Sequence, residues 1–211
     1  MTDLTAFQDL SPCTLADVLT REQVMDVGVR PLWSGSPCVS GPAYTVRCAA
    51  GDNLMLHAAI YRAEPGSVIV IEAGDVDYAV AGGNVCAVAQ KRGVVAFVID
   101  GVIRDLAEIR ELKFPVFARG VSPIPGAKEV LGELGGSVRC GGVHVHAGDI
   151  VVADEEGVVV VPKAQAEAVL EKARARAAKD EAETLESWES AHRARTESIL
   201  ESKGFVDGSK R

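Results

Sequence analysis

The chain has no apolar run approaching the roughly 20 residues needed to span a bilayer, and no block of lysine or arginine offsets its net charge of −8 and pI near 5.1. The first absence argues against a membrane span. The second argues against general binding to nucleic acid or anionic lipid, whose phosphates call for a basic surface. Small anions or other proteins are therefore the expected partners. The opening MTDLTAFQDL lacks the basic-then-apolar layout of a secretory signal, so the expectation is a cytoplasmic protein. The cysteines, Cys13, Cys38, Cys48, Cys86 and Cys140, are odd in number and include no CxxC pair, which excludes a disulfide framework or zinc knuckle and predicts reduced residues, mostly in the core.

Histidines are equally sparse as ligand sets. His57 has no second histidine or cysteine at ligand spacing and reads as a core or interface residue. His144 and His146 alternate as a strand would place them, on one face, but a third ligand is missing.

What is present suits one packed domain: 211 residues, 47% of them hydrophobic, enough for a buried core. A short helix is expected over Thr14–Thr20, capped by Thr14, then a loop rich in Pro, Gly and Ser from Arg30 to Pro42 and a strand from Ala43 to Cys48. Asp52 and Asn53 can cap the next helix. Val68 to Ile71 is a continuous β-branched run of the kind covered on both faces, which predicts helices on either side. There follow a helix (Asn84 to Arg92), a strand (Val94 to Ile99), a turn at Asp100-Gly101, a helix (Asp105 to Leu112) and a strand (Pro115 to Ala118). This alternation predicts an α/β domain with a buried central sheet. Beyond Ser122, short apolar pieces punctuated by glycine predict an antiparallel β part ending with Val158–Val161 and Pro162. From Lys163 the chain is helix-forming, without proline, and its apolar stripe is thin: Leu170, Ala173 and Ala177, then Leu185, Trp188 and Ile199. The expected organisation is an α/β domain over residues 1–162 and a C-terminal helical arm over 163–211 that needs another surface, most economically a neighbouring subunit.

Function is expected in the stretch from Gly82 to Glu108. The glycine pair Gly82-Gly83 opens a helix, so backbone amides and the helix dipole offer an anion site, to which Asn84 can add a side chain. At the far end stand Arg104, a bidentate fork for a carboxylate or keto oxygen, and Asp105, a hard oxygen ligand suited to Mg²⁺ or Mn²⁺. A competing reading takes Asp105-Leu-Ala-Glu108 as a capping box, with Asp105 and Glu108 serving only the helix start. Asp75 and Asp77 lie in the preceding loop, within reach of the same pocket, although such residues are ordinarily just solvated.

The spacing Gly83, twenty residues, Arg104-Asp105, two residues, Glu108 resembles the signature of the class II pyruvate aldolases, which cleave 4-hydroxy-4-methyl-2-oxoglutarate and 4-carboxy-4-hydroxy-2-oxoadipate and share a fold with RraA, named as a regulator of ribonuclease E. The likeness extends through SGPAYTVRC (Ser40–Cys48), GDNLMLH (Gly51–His57), PGSVIVIEA (Pro65–Ala73), FPVFARG (Phe114–Gly120) and HAGDIVVADEEGVVVVP (His146–Pro162). It implies the RraA-like fold and a retro-aldol lyase using Mg²⁺ or Mn²⁺, with oxaloacetate decarboxylation as a side activity. By motif, Asp105 would hold the metal, Arg104 would bind substrate oxygens, the amides around Gly82, Gly83, Asn84 and Val85 would grip the pyruvyl carboxylate, and Glu108 would orient metal-bound water. The resemblance further implies a trimer or hexamer in which a neighbouring chain adds an acidic residue. Asp180, Glu181, Glu183, Glu186 and Glu189 are all candidates, Glu181 or Glu183 foremost, and no residue is identified as the general base. Two alternatives accompany it. One is a ribonuclease regulator of the RraA type without catalysis, against which the C-terminal arm and Glu108 argue. The other is a demethylmenaquinone methyltransferase, against which the lack of a glycine-rich motif after the first strand argues.

Overall fold

The computed structural model describes residues 4–206. They form two compact units, one extending to Arg174 and one beginning at Ala175.

The first unit contains strands β1 (Arg30–Pro31), β2 (Val39–Arg47), β3 (Val68–Glu72), β4 (Ala79–Ala81), β5 (Ala96–Ile103), β6 (Val116–Val121), β7 (Glu133–Leu134), β8 (Val138–Cys140), β9 (Val143–Val145), β10 (Ile150–Asp154) and β11 (Gly157–Val161). Its helices are α1 (Pro12–Ala16), α2 (Leu54–Ala59), α3 (Gly83–Lys91), α4 (Leu106–Leu112) and the first part of α5 (Ala166–Ala182). Among the described residues, nine strands join in one sheet along the path β1-β6-β5-β3-β2-β10-β11, with β4 beside β5 and β7 beside β2; β8 and β9 form a separate hairpin. The strands β2, β3, β5 and β6 run parallel, whereas β10 and β11 are antiparallel additions. The α/β class and the antiparallel second half are as the sequence predicts.

The central strands are buried on both faces, and the period-2 alternation sorts their side chains into two cores. Ile69, Ile71, Phe97, Ile99, Val116 and Ala118 point to one side, where Met55, Leu56, Cys86, Ala89 and Ile109 of α2, α3 and α4 cover them. Val68, Val70, Ala96, Val98 and Phe117 point to the other, against Val138, Cys140, Val143, Val145, Val151 and Val160. Helices therefore cover one face only, and β-hairpins take the place expected for helices on the other. A β-branched run records burial on both faces but not what does the covering. Each fully buried Val, Ile or Phe contributes about 1.5–3 kcal/mol, so this double layer supplies most of the apolar stabilisation.

Three local expectations change. The first helix starts at Pro12 with Ser11 as its cap, the Ser11 hydroxyl accepting the N–H of Thr14; Pro12 occupies the first turn, where its missing N–H is harmless. Strand β2 begins at Val39 rather than Ala43, because β10 pairs with Val39–Pro42. Asp100-Gly101 is not a turn: β5 continues through it to Ile103, with an irregularity in its register against β6. Elsewhere, Asp52 accepts the N–H of Leu54 at the start of α2, as expected, and its other oxygen accepts those of Glu129 and Val130; Asn53 occupies the N-cap position but its side chain makes no capping bond and donates to the Gly126 carbonyl instead.

Helix α5 buries Ala166, Val169, Leu170 and Ala173, so the compact first unit continues past Pro162. The second unit holds the end of α5 and α6 (Leu185–Ser202), capped by Thr184, whose hydroxyl accepts the N–H of Ser187. None of the residues of α6 is buried; Leu185 is 76%, Trp188 48% and Ile199 43% exposed. Among the described residues no helix is long and apolar enough to cross a membrane.

Candidate active site

The site is built by a βαβ crossover. Strand β4 runs parallel beside the end of β5, pairing Ala79 with Val102 and Ala81 with Ile103, and α3 connects the two. Both strands therefore stop at the same level, and the N–H of Arg104 closes the pair by donating to the carbonyl of Ala81 at 2.9 Å. The twenty residues between Gly83 and Arg104 are the length of this helix-and-return path. Gly82-Gly83 and Arg104-Asp105 thus emerge side by side at the carboxyl ends of parallel strands, where ligands bind in open α/β sheets.

The two glycines are needed for space. Gly82 has an extended backbone (φ −151°) that any residue adopts, but a Cβ there would collide with Asp105 Oδ2 and approach Arg104 Cγ to 3.2 Å and Nε to 3.3 Å. A Cβ on Gly83 would strike Glu108 Oε2 and lie 3.0 Å from its Cδ. The spaced residues thus form one packing contact, in which the side chains of Arg104, Asp105 and Glu108 lie directly on two residues that have none.

Asp105 occupies the N-cap position of α4 but does not cap it. Its backbone is left-handed (φ 59°, ψ 37°) and its side chain makes no capping hydrogen bond; instead Oδ2 accepts the N–H of Gly83 at 3.1 Å. The capping reading of Asp105-Leu-Ala-Glu108 is therefore corrected. A non-glycine residue in this backbone region is uncommon, and such residues cluster at functional sites. Arg104 Nε lies 3.5 Å from Asp105 Oδ2, with the two side chains 43% and 35% exposed. This is an open ion pair, weak in itself, that leaves most of the guanidinium free for a ligand.

Helix α3 points its N-terminus at this cluster. Its first intrahelical bond is from Cys86 to the carbonyl of Gly82 at 3.1 Å, so the amides of Asn84 and Val85 precede the helical ladder. The Gly83 amide is already engaged by Asp105. Behind them Cys86 is fully buried, and burial, reinforced by the charge of Asp105, pushes its thiol up to about 12, which removes it as a nucleophile.

Among the described residues no three His, Cys, Asp or Glu side chains gather as a ready metal cage. The donors at the glycine pair are two carboxylates, Asp105 and Glu108, both lying against Gly83. An oxygen-only pair of this kind fits a hard cation such as Mg²⁺ or Mn²⁺, which is commonly held through one or two carboxylates and keeps several waters, and does not fit the nitrogen and sulfur preference of Zn²⁺.

The other candidates lie elsewhere. Asp75 accepts from the N–H groups of Asp77 and Tyr78 in its own loop and from that of Gly51 in the loop between β2 and α2, and lines a different cleft of about 480 Å³ with Asp26, Glu72, Asp100, Arg119 and Arg139. Asp77 lies in the same loop, and its carbonyl accepts from the Ser122 hydroxyl. His57 is half-buried on α2, and His144 and His146 are exposed. Glu181 lies in the last turn of α5 and Glu183 just follows the helix, both in the second unit. Sequence reading passed over Arg119 and Asp100, whose side chains pair beside β5. The available signal was an isolated glycine, Gly101, inside an apolar strand pattern, which marks a bulge.

Residues 12–160 match the RraA-like family, described as Aldolase/RraA. A Halalkalibacterium halodurans protein, provisionally named a 4-hydroxy-4-methyl-2-oxoglutarate aldolase, is 39% identical over 160 residues, 75% of this chain and 76% of that protein. Among solved structures, Streptomyces coelicolor RraAS2, titled an unusual member of the RNase ES inhibitor RraA family, superposes with a TM-score of 0.71 at 29% identity, covering 91% of this chain and 96% of its own. The RNA-processing inhibitor RraA from Thermus thermophilis matches with a TM-score of 0.65 at 26% identity, covering 72% of this chain and 92% of its own. Coverage of 91% takes in part of the arm after Pro162, so an arm does not by itself separate aldolases from the inhibitor family.

Proposed function

The chain belongs to the RraA-like family, and from that premise we propose that it is a divalent-metal-dependent lyase cleaving a 4-hydroxy-2-oxo di- or tricarboxylic acid to pyruvate and a second oxo compound. The observation that carries this reading is the seating of Asp105 and Glu108 on Gly83, with Arg104 on Gly82. A carboxylate that bonds across the site instead of capping its own helix is arranged for a ligand. The provisional aldolase name of the H. halodurans relative supports the same class.

Asp105 would hold Mg²⁺ or Mn²⁺, with Glu108 orienting water around it, and such a cation would supply Lewis-acid chemistry when bound. Arg104 presents its fork to the substrate carboxylate or keto oxygen and stabilises the negative charge that develops there as the C3–C4 bond breaks. The electron pair of that bond passes to C3, which takes up a proton to give pyruvate, while the C4 hydroxyl loses its proton and becomes the new carbonyl. The Asn84 and Val85 amides at the α3 N-terminus hold the pyruvyl carboxylate, and Gly83 fixes Asp105. Loss of CO₂ from oxaloacetate develops charge at the same place, so decarboxylation accompanies cleavage. A carboxylate from the arm of a neighbouring chain, Glu181 or Glu183, completes the surroundings in a trimer or hexamer.

Pyruvate release from 4-hydroxy-4-methyl-2-oxoglutarate, coupled to lactate dehydrogenase with and without a chelator, tests the proposal. Turnover that disappears with chelator supports it. The RraAS2 likeness over most of the chain favours a second reading, inhibition of a ribonuclease without turnover. Absence of pyruvate and of oxaloacetate decarboxylation, together with inhibition of an RNase E-type enzyme, would select that reading.

A further inference from the structure

Strand β5 changes partner just before it delivers the site. It pairs with β3 as far as Glu72 opposite Asp100, then with β4 from Val102 onward. On its other edge, Ile99 faces Ala118 and Val102 faces Gly120, so Asp100 and Gly101 together oppose the single residue Arg119. This is a β-bulge, a device that bends a strand and re-aims the side chains beyond it. Gly101 is wedged against the β3–β4 connection, where a Cβ would lie 2.5 Å from Ala73 Cβ and 3.3 Å from the Asp75 carbonyl.

The bulge is clamped by charge. Arg119 Nε donates to Asp100 Oδ1, and Nη1 and Nη2 donate to the two oxygens of Asp26 at 3.1 and 2.9 Å. Asp100 Oδ2 accepts the N–H of Gly141 at 2.8 Å, and the Asp26 N–H donates to the Gly141 carbonyl at 2.8 Å. Each nitrogen of the Arg119 guanidinium donates to one of the two carboxylates, so this arginine bridges Asp26 and Asp100.

We propose that Arg119 is a positioning residue for the Gly83–Asp105 site: by bridging Asp26 and Asp100 it fixes the bulge that sets Arg104 and Asp105 against the glycine pair. Only its kinetic consequence rests on the aldolase reading. The leverage follows from strand geometry. A one-residue slip in β5 moves its end by about 3.3 Å and turns each side chain to the opposite face, more than a 3.1 Å hydrogen bond between Gly83 and Asp105 tolerates.

The test is the crystal structure and kinetics of Arg119→Met, which keeps the length of the side chain and removes the fork. These ion pairs are partly exposed and such pairs contribute little to global stability, so the variant is expected to fold. The expected result is loss of the Gly83–Asp105 hydrogen bond and a fall in kcat on the order of 10²-fold, as misplaced catalytic groups produce, with KM within about twofold. Arg119→Lys, which reaches one carboxylate, recovers part of the rate. Should Arg119→Met not fold, Asp100→Asn keeps an acceptor for Arg119 but not for Gly141 and should show the same signature in weaker form. Persistence of the Gly83–Asp105 bond in the variant, or its loss with kcat unchanged, overturns the proposal. A wild-type protein that releases no pyruvate removes the aldolase reading, and the crystal structure alone then decides the positioning role.

Discussion

Gly83 donates its backbone N–H to the carboxylate of Asp105 at 3.1 Å, although twenty-two positions separate them. That bond turns a local pattern which resembles helix capping into a long-range contact between two strand ends. It also explains why the residue at 83 lacks a side chain, since Glu108 fills the space a Cβ would take.

Gly83→Ala should therefore lower activity far more than stability. A Cβ at 83 would strike the carboxylate end of Glu108, which can swing aside, and would press on Glu108 Cβ at 3.1 Å, which must give by a few tenths of an ångström; against this, alanine favours a helix over glycine by roughly 1 kcal/mol. The expected outcome is a melting temperature within a few degrees of wild type, with turnover down by on the order of 10²-fold as Glu108 and Asp105 are displaced. Thermal melts beside pyruvate assays check it, and full activity in the folded variant would show that the close packing is incidental.

Much of the fold was legible because hydrophobic periodicity reports burial. The β-branched runs at Val68–Ile71 and Val94–Ile99 marked central strands, and glycine after Ser122 marked the hairpins. What the sequence did not disclose was partner identity. Nothing in Val68–Ile71 says that one face meets α2–α4 and the other meets β-hairpins, and nothing in Asp100-Gly101 says that Arg119 holds it as a bulge. The candidate site residues stand out by their spacing, but four residues beginning with Asp105 satisfy a capping pattern equally well. Only the tertiary placement of Gly83 distinguishes the two.

The cysteines give an independent check on the core. Cys13 and Cys38 are exposed, whereas Cys48, Cys86 and Cys140 are buried; burial pushes the Cys48 thiol up to about 11 and that of Cys86 to about 12. A thiol reagent at mildly alkaline pH should label two cysteines in the native protein and all five after denaturation. Native labelling of Cys86 would contradict the placement of α3.

Half-burial, and secondarily the charge of Lys128, holds the His57 imidazole below its ordinary value. The unfolded chain then takes up this proton first as the pH falls. The protein should lose stability from about pH 6.5 downward until the folded histidine also titrates. His57→Gln should flatten that part of the profile, and melts between about pH 7.5 and 5.5 would show it. An unchanged slope would place the dependence on other groups.

Truncation separates the core from the arm. Val169, Leu170 and Ala173 are buried, each large apolar side chain contributing about 1.5–3 kcal/mol to a total of roughly 5–15. A chain ending at Pro162 should therefore be strongly destabilised and one ending at Arg174 should fold. If the exposed Leu185, Trp188 and Ile199 dock on a neighbouring copy, the full chain is a trimer or hexamer by light scattering and the shorter one loses assembly and most activity. A fully active monomer would overturn the shared site.

The most direct measurement compares wild type with Asp105→Asn in metal-dependent pyruvate release. Asparagine keeps an acceptor for the Gly83 amide and tolerates the left-handed backbone, so the fold should survive with a change of well under about 1 kcal/mol. If Asp105 holds the divalent cation, turnover of 4-hydroxy-4-methyl-2-oxoglutarate falls by at least about 10²-fold while circular dichroism and melting remain those of wild type. Turnover retained in Asp105→Asn at the same metal concentration would contradict the assignment.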